Sequence, residues 1–269
     1  MRRMLGVALL AGSAWGAPAA AQAPAAGSAI GDVPADAWFI TRSPAQASAS
    51  DLGTAGLAAL GAGVALLLDE PVHDWLHSEP FPVRVLAPFG EDGPLGFTGR
   101  TTLFLLPLSL ALWTAGHVTS SPDLRDAGLG CGTSNLTTTL TRRLLASLLG
   151  RLRPEVHEGA FRFQLFAFGD WEARSFFGGH ASNIMSCAAF FNHRFDMGPA
   201  GPALYAFAGG VGAARIVDEA HWTSDTYTGM VYGYAVGRNV AQRSLDRSRE
   251  ASGERSMQPM AWIGWRIRL

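Results

Sequence analysis

Apolar residues form runs of helical length along most of the chain, and short polar segments rich in glycine and proline separate them. Two of these runs, 52–68 and 101–118, lie at the lower length limit for a helix that spans a bilayer. Further segments of helical character follow at 123–152, 182–191, 203–217 and 225–240. This pattern predicts an all-α helical bundle of about six core helices. The length of these two runs slightly favours a membrane-associated body over a soluble bundle, and Gly- and Ala-rich helices suit either one.

The composition changes at the two ends of the chain, and these changes set the predicted domain boundaries. Residues 1–23 contain two arginines, then an apolar run, and then a cleavage pattern of small residues. They indicate a secretory signal peptide and export to the cell envelope, in the periplasm or the periplasm-facing inner membrane. Residues 24–50 are rich in Ala, Pro, Ser and Gly and predict a flexible lead-in. The helical domain then covers 51–243, and a polar tail whose end partly alternates like a strand covers 244–269.

Net charge, cysteines and histidines limit which partners, disulfide bonds and metal sites the sequence predicts. The formal net charge is −1, which argues against a nucleic-acid partner, and every basic residue is Arg because the chain contains no Lys. Cys131 and Cys187 would meet oxidising conditions after export, where they can pair or remain as buried thiols. His73 and His77 stand one helical turn apart, but the sequence offers no evident third ligand, so no metal site is predicted. The oligomeric state is left open.

The densest concentration of catalytic side-chain types lies between residues 215 and 225. Here Arg215, His221 and Asp225 follow one another at spacings of six and four residues. A His and an Asp four apart share one helix face, so the carboxylate can fix the imidazole tautomer and leave the other ring nitrogen free as a nucleophile. The Arg supplies a charged fork for an oxyanion. Because six residues rotate a helix by about 240°, a break at 218–220 is predicted.

Two upstream segments carry matching chemistry. Arg153 precedes Pro154 and is therefore expected where a helix ends, projecting into a site. Gly178 and Gly179 precede His180 at the start of a predicted helix, and free N–H groups at a helix N-terminus bind anions. Each segment alone also has a structural explanation, either a helix C-terminal Arg or a glycine turn with a capping His. Together the three segments predict a site for phosphoryl transfer.

The order and spacing of these segments resemble the type 2 phosphatidic acid phosphatase family, which shares its fold with bacterial class A acid phosphatases and vanadium haloperoxidases. The family pattern is Lys-x6-Arg-Pro, then Pro-Ser-Gly-His, then Ser-Arg-x5-His-x3-Asp. The positions that match are Arg153-Pro154 in the first motif, Gly179-His180 in the second, and Arg215, His221 and Asp225 in the third. The resemblance covers about 101–240, and the spacing of the third motif is its most specific part.

The resemblance implies a phosphatase that uses neither metal nor cofactor. In such an enzyme His221 attacks phosphorus and forms a phosphohistidine, Asp225 orients His221, and His180 protonates the leaving oxygen. The groups implied to hold the phosphate oxygens are Arg153, Arg215 and the backbone at Gly178 and Gly179. Vanadate would inhibit by taking the place of phosphate. The expected substrate is a phosphate monoester or diphosphate: a phosphorylated lipid if the body lies in a membrane, or a small soluble phosphomonoester if it does not.

Four positions depart from the family pattern. They are Ala146 in place of Lys, Phe177 and Gly178 in place of Pro-Ser, and Ala214 in place of the Ser of the third motif. One cation and two hydroxyl groups are therefore absent from the implied phosphate pocket. Arg142 and Arg143 lie about one helical turn before Ala146, where one of them can supply the cation. The alternatives are a catalytically degenerate binding or structural protein of the envelope and a haloperoxidase that holds vanadate as its cofactor.

Overall fold

A computed structural model describes residues 29–42, 48–78 and 80–251 of the chain, and its regular structure there is helical. The predicted signal peptide and the predicted terminal strand lie outside these residues. The α-helices are α1 (Asp32–Arg42), α2 (Ala49–Leu67), α3 (Asp69–Ser78), α4 (Pro80–Leu86), α5 (Leu106–Val118), α6 (Pro122–Leu149), α7 (Gly179–Phe195), α8 (Ala200–Val217) and α9 (Thr223–Ala251). Strands are absent from the described part of the chain, and the all-α prediction is confirmed.

Helices α7 and α9 form the centre of the bundle and pack at very short distance. Glycines recur every fourth residue along α9, at Gly229, Gly233 and Gly237. A Cβ atom placed on Gly233 would lie 2.2 Å from the carbonyl oxygen of Ser182, and one on Gly237 would lie 2.0 Å from that of Ser186. Because no side chain fits between the two backbones, this glycine stripe fixes how α9 lies on α7.

Helix α6 packs against both α7 and α9, and a disulfide bond joins α6 to α7. Cys131 of α6 and Cys187 of α7 have Cα atoms 4.7 Å apart and form this bond, which resolves the alternative left open by the sequence. Gly130 next to it leaves room for the ring of Phe190, since a Cβ atom there would lie 1.8 Å from the ring. The phosphate motifs carried by α6 and α7 therefore sit on helices that are covalently linked.

The lead-in and the tail are both more ordered than predicted. Residues 32–42, expected to be flexible, form α1, and its Asp36 accepts hydrogen bonds of 2.9 Å from Arg243 and Arg247 of α9. Residues 244–251, expected to be tail, are the end of α9, where Ser244 is buried. The reason is tertiary, because the two mispredicted segments lie against each other and Ile40 of α1 joins a core cluster with α9.

The prediction of a break between Arg215 and His221 is confirmed. Helix α8 ends at Val217 and α9 begins at Thr223, with a turn between them in which Glu219 has a positive φ of 54°. A second decisive turn lies at Gly150, which ends α6 with a φ of 59°. A Cβ atom at this glycine would lie 1.7 Å from the carbonyl oxygen of Gln164. These two turns bring the motif residues to one end of the bundle.

Membrane crossing by one helix is not supported among the described residues, since none is both long and apolar enough. The bent pair Asp51–Leu67 and Asp69–Ser78, which meets at 49°, passes the criteria of length and composition when taken together. On α2 several large apolar side chains are exposed: Leu52, Leu57, Leu60, Val64 and Leu67.

Candidate active site

The predicted site residues come together where four chain segments meet. Arg153 follows the end of α6, His180 is in the first turn of α7, and Arg215 is in the last turn of α8. His221 lies in the turn after α8, and Asp225 is in the first turn of α9. The charge of Arg153 lowers the pKa of His221, and the charge of Arg215 lowers the pKa of His180, so these motif residues lie close together.

His221 is almost fully buried, and its ring orientation is fixed by a backbone group. Its Nδ1 lies 2.7 Å from the carbonyl oxygen of Ser175. A carbonyl can only accept, so Nδ1 carries the proton and Nε2 keeps its lone pair. Burial, and then the positive charges of Arg153 and Arg142, hold the pKa of His221 well below its usual range. The imidazole is therefore neutral at physiological pH and has the form that a nucleophile requires.

Asp225 does not occupy the orienting position expected for it. Its carboxylate accepts hydrogen bonds from the Ser175 hydroxyl, from the Trp222 N–H at 3.2 Å and from Arg151 at 2.6 Å. The physical reason is that α9 begins only at Thr223, so His221 precedes the helix and does not share a helical face with Asp225. Asp225 instead acts through Ser175, whose hydroxyl it binds and whose carbonyl holds His221.

Arg151 is the residue that sequence reasoning missed. Its side chain is only 1% exposed and donates to Asp69 at 2.6 Å and to Asp225 at 2.6 Å, as well as to the carbonyl of Ala160 at 3.0 Å. Asp69 also accepts from the N–H and the hydroxyl of Ser224, both at 2.7 Å. This buried ion triad ties α3 to the start of α9. Its only signal in the sequence is the proximity of Arg151 to the Arg-Pro motif.

The two motif arginines each have a buried Nε atom without a hydrogen-bond partner in the described part of the chain. Arg215 is 1% exposed and binds Glu91 at 3.4 Å and Asp218 through its terminal nitrogens. Arg153 binds Glu155 at 3.2 Å and lies over the ring of Trp171, 4.2 Å from its centre. The Nε atoms of both arginines are buried, and neither has a hydrogen-bond partner among the described residues. Burial lowers the pKa of Arg153, and Glu155 opposes that shift. Buried N–H donors without a partner can be satisfied by the oxygen atoms of a bound oxyanion.

His180 is surrounded by positive charge. Burial is the largest cause of a lowered pKa, and the charges of Arg215 and Arg142 add to it, which brings the pKa to about 3. Its Nε2 is buried and makes no hydrogen bond within the described part of the chain. A neutral imidazole next to several arginines can take up a proton once an anion has neutralised those charges.

Arg142 reaches the site and supplies the cation that Ala146 lacks. It lies one turn before Ala146 on α6, and its guanidinium rests against Gly179, where a Cβ atom would lie 2.8 Å from its Nε. Burial, and then the charges of Arg143, Arg153 and Arg174, lower the pKa of Arg142 to about 10. The side chain remains charged at neutral pH and acts electrostatically on both His180 and His221.

The two glycines before His180 have different roles. The Gly178 N–H, expected to face phosphate, donates to the backbone carbonyl of Asp225 at 2.9 Å. A Cβ atom on Gly178 would lie 3.2 Å from the Cα of Thr226, so the close approach of α9 leaves little room for the family Ser. Gly179 opens α7, whose first N–H groups precede the first intrahelical bond, from Ser182 to Gly178. Only this first turn retains the predicted anion-binding geometry.

A loop rich in exposed aromatic residues lies beside the site. Six large apolar side chains between residues 161 and 171, which we call the aromatic rim, are exposed: Phe161, Phe163, Leu165, Phe166, Phe168 and Trp171. Trp171 places the rim next to Arg153, because the Arg153 guanidinium lies over its ring. Clustered exposure of this kind marks a surface that contacts an apolar partner.

Comparison with known proteins matches the chain to a protein family. The family model of the PAP2 superfamily matches residues 127–249, which include Arg142, Arg151 and each of the predicted catalytic residues. No curated protein and no solved structure matches the chain.

Proposed function

Because the chain belongs to the PAP2 superfamily, whose members are generally phosphatases, we propose that it hydrolyses a phosphate monoester or diphosphate through a phosphohistidine. The observation that carries this proposal is the set of buried nitrogen atoms without described partners in the cluster that contains a neutral His221. The Nε atoms of Arg153 and Arg215 and the Nε2 of His180 have no hydrogen-bond partner among the described residues. A tetrahedral dianion at this position would satisfy them and offset the mutual repulsion of the arginines.

Each step of the proposed reaction follows from the protonation states. His221 Nε2 attacks phosphorus, the bond from phosphorus to the leaving oxygen breaks, and His180 gives that oxygen a proton. His180 takes up this proton when the bound phosphate neutralises the surrounding arginines and raises its pKa. Water then attacks the phosphohistidine and loses a proton to His180, which releases inorganic phosphate and restores His221. Arg142, Arg153 and Arg215 stabilise the negative charge of both transition states.

We further propose that the substrate is a phosphorylated lipid, because the aromatic rim borders the site. Phe166 and Phe168 are each 66% exposed, and burying one such side chain in lipid stabilises binding by about 1.5–3 kcal/mol. The rim would hold acyl chains or the bilayer surface while Arg153 receives the phosphate. Export to the cell envelope belongs to the same proposal, and the Cys131–Cys187 disulfide supports it because such bonds persist in oxidising compartments.

The deciding experiment measures inorganic phosphate released by the purified chain. Phosphatidic acid in detergent micelles and a soluble aryl phosphate are offered in parallel, with and without vanadate, to the wild type and to His221→Ala. We expect vanadate-sensitive release that is lost in His221→Ala while the helical circular dichroism is kept. Retained release in this variant would remove His221 as the nucleophile. Phe166→Ser with Phe168→Ser is expected to slow lipid hydrolysis at least tenfold and leave the aryl phosphate unchanged.

A phosphate-binding protein without turnover is the second candidate. The absence of hydroxyl groups at Gly178 and Ala214 favours it, because each lost contact to the transition state costs on the order of 10²–10³ in rate. Phosphate or vanadate binding by the wild type, without release from either substrate, would identify this case. A vanadium haloperoxidase needs the same oxyanion contacts, and halide oxidation by the vanadate-loaded chain would reveal it.

A further inference from the structure

A cluster of three side chains outside the phosphate site has the composition of a transition-metal site. His73 and His77 lie one turn apart on α3, and Glu219 faces them from the turn between α8 and α9. One ligand atom from each residue lies within 4.8 Å of the other two. We propose that His73, His77 and Glu219 bind a divalent transition-metal ion of the zinc class. The sequence showed only the two histidines, because the third ligand lies far along the chain.

The hydrogen bonding of His77 directs one ring nitrogen toward Glu219. His77 Nδ1 lies 2.7 Å from the carbonyl oxygen of His73 and donates to it, which leaves Nε2 to face Glu219. His77 Nε2 is in direct contact with the carboxylate of Glu219. When the imidazole is neutral, both atoms carry lone pairs, and a metal ion bound by both relieves their repulsion in competition with a proton on Nε2. A backbone carbonyl that holds the other nitrogen is also the usual support of a histidine ligand.

The surroundings position the other two ligands. The His73 ring packs between His77 and Trp222, with ring centres 4.3 Å and 5.5 Å away. Glu219 has a positive φ of 54° and contacts His77 of α3, and its carbonyl accepts the N–H of Glu155 at 3.2 Å. Arg215, the nearest motif arginine in the sequence, binds Glu91 and Asp218.

The donor set selects the class of ion. Two imidazoles and one carboxylate suit Zn²⁺ and its neighbours, whereas Mg²⁺ and Ca²⁺ prefer oxygen ligands throughout. Three protein ligands leave a fourth tetrahedral position for water. The exposed His157 stands nearby, with its Nε2 3.9 Å from Glu219 Oε2, and lies outside the three-ligand set. The bound ion would connect α3, which precedes the family match at 127–249, to the turn that leads into His221.

Metal titration of the full chain without a polyhistidine tag tests this assignment. Zn²⁺ binding is measured by calorimetry, and Co²⁺ is added separately as an optical probe. We expect one equivalent of each ion to bind and the Co²⁺ complex to show the intense visible absorption of a tetrahedral site. Loss of a supporting group typically costs 10–100-fold in metal affinity, so His73→Ala, His77→Ala and Glu219→Ala should each lose about 100-fold or more.

Three further variants separate this site from adventitious binding. His117→Ala removes an exposed histidine on α5 and should leave the affinity unchanged. His221→Ala should also bind normally, which distinguishes the metal cluster from the phosphate site whether or not the chain is a phosphatase. His157→Ala should lose less than tenfold. The proposal is overturned if no stoichiometric binding occurs, or if His117→Ala or His221→Ala weakens binding as much as His73→Ala. An equal loss in His157→Ala would overturn the three-ligand assignment.

Discussion

Replacing Arg151 by methionine tests whether the buried ion triad holds the catalytic end of the bundle together. The substitution keeps most of the side-chain volume but leaves Asp69 and Asp225 buried without their common cation. Removing one partner of a buried ion pair costs about 3–5 kcal/mol, and here two carboxylates lose the same partner. We therefore expect Arg151→Met to lower the free energy of unfolding by about 5 kcal/mol at pH 7, measured by urea denaturation.

The pH dependence gives this prediction an independent check. Burial raises the pKa of Asp225, and Arg151 is the main group that opposes the rise. Without Arg151 the pKa of Asp225 in the folded state rises further. Between the unfolded and the folded pKa of Asp225, the folded state binds more protons than the unfolded state, so stability falls as the pH rises. The deficit of Arg151→Met should therefore be smaller at pH 5 than at pH 7, by at most about 1.4 kcal/mol per pH unit for this group.

Two comparisons make the Arg151 result decisive. Arg162→Met removes an exposed pair with Glu158 and should cost less than about 0.5 kcal/mol. Adding Asp225→Asn to Arg151→Met removes one of the uncompensated charges and should restore part of the lost stability. A loss below about 1 kcal/mol for Arg151→Met, or a loss that does not change between pH 5 and pH 7, would refute the reasoning from buried charge.

Three other predictions concern the site and the core. Arg142→Ala should slow phosphate release about 10²-fold in steady-state assays, whereas Arg143→Ala, at an exposed position beside it, should have little effect, and equal effects would contradict the role of Arg142. The pKa of His180 is lowered to about 3, so between pH 6.5 and 3 the unfolded chain binds a proton at this residue and the folded chain does not. The free energy of unfolding should therefore decrease by about 1.4 kcal/mol for each unit by which the pH is lowered in this range. His180→Asn should flatten the urea-unfolding profile by this amount, and an unchanged slope would count against it. Reducing the Cys131–Cys187 bond, which closes a segment with a sequence separation of 56, should cost about 4 kcal/mol, with a small shift in melting temperature as the opposing result.

The sequence by itself determined most of the core helices and the motif residues. Apolar runs of helical length predict α2, α5 and α8 because helix formation depends on neighbours within one or two turns. The six-residue spacing from Arg215 to His221 required a break, and the structure has one there. These inferences succeeded because each rests on the geometry of a single segment.

Other properties of the site depend on residues that are far apart in the chain, and only the tertiary structure decided them. The sequence left open whether Arg142 or Arg143 replaces the missing Lys, and the packing of α6 against Gly179 selects Arg142. Asp225 was paired with His221 by spacing, but the start of α9 at Thr223 turns it toward Ser175 and Arg151.

The contacts of α3 also could not be predicted from the sequence. Its first residue, Asp69, meets Arg151 across 82 positions of sequence, and its His77 meets Glu219 from the turn after α8. No local pattern encodes such pairs, because they depend on where whole helices pack and not on the propensities of either segment. The sequence thus determined the motif residues of the candidate site, and the packing of the helices decided which side chains those residues meet.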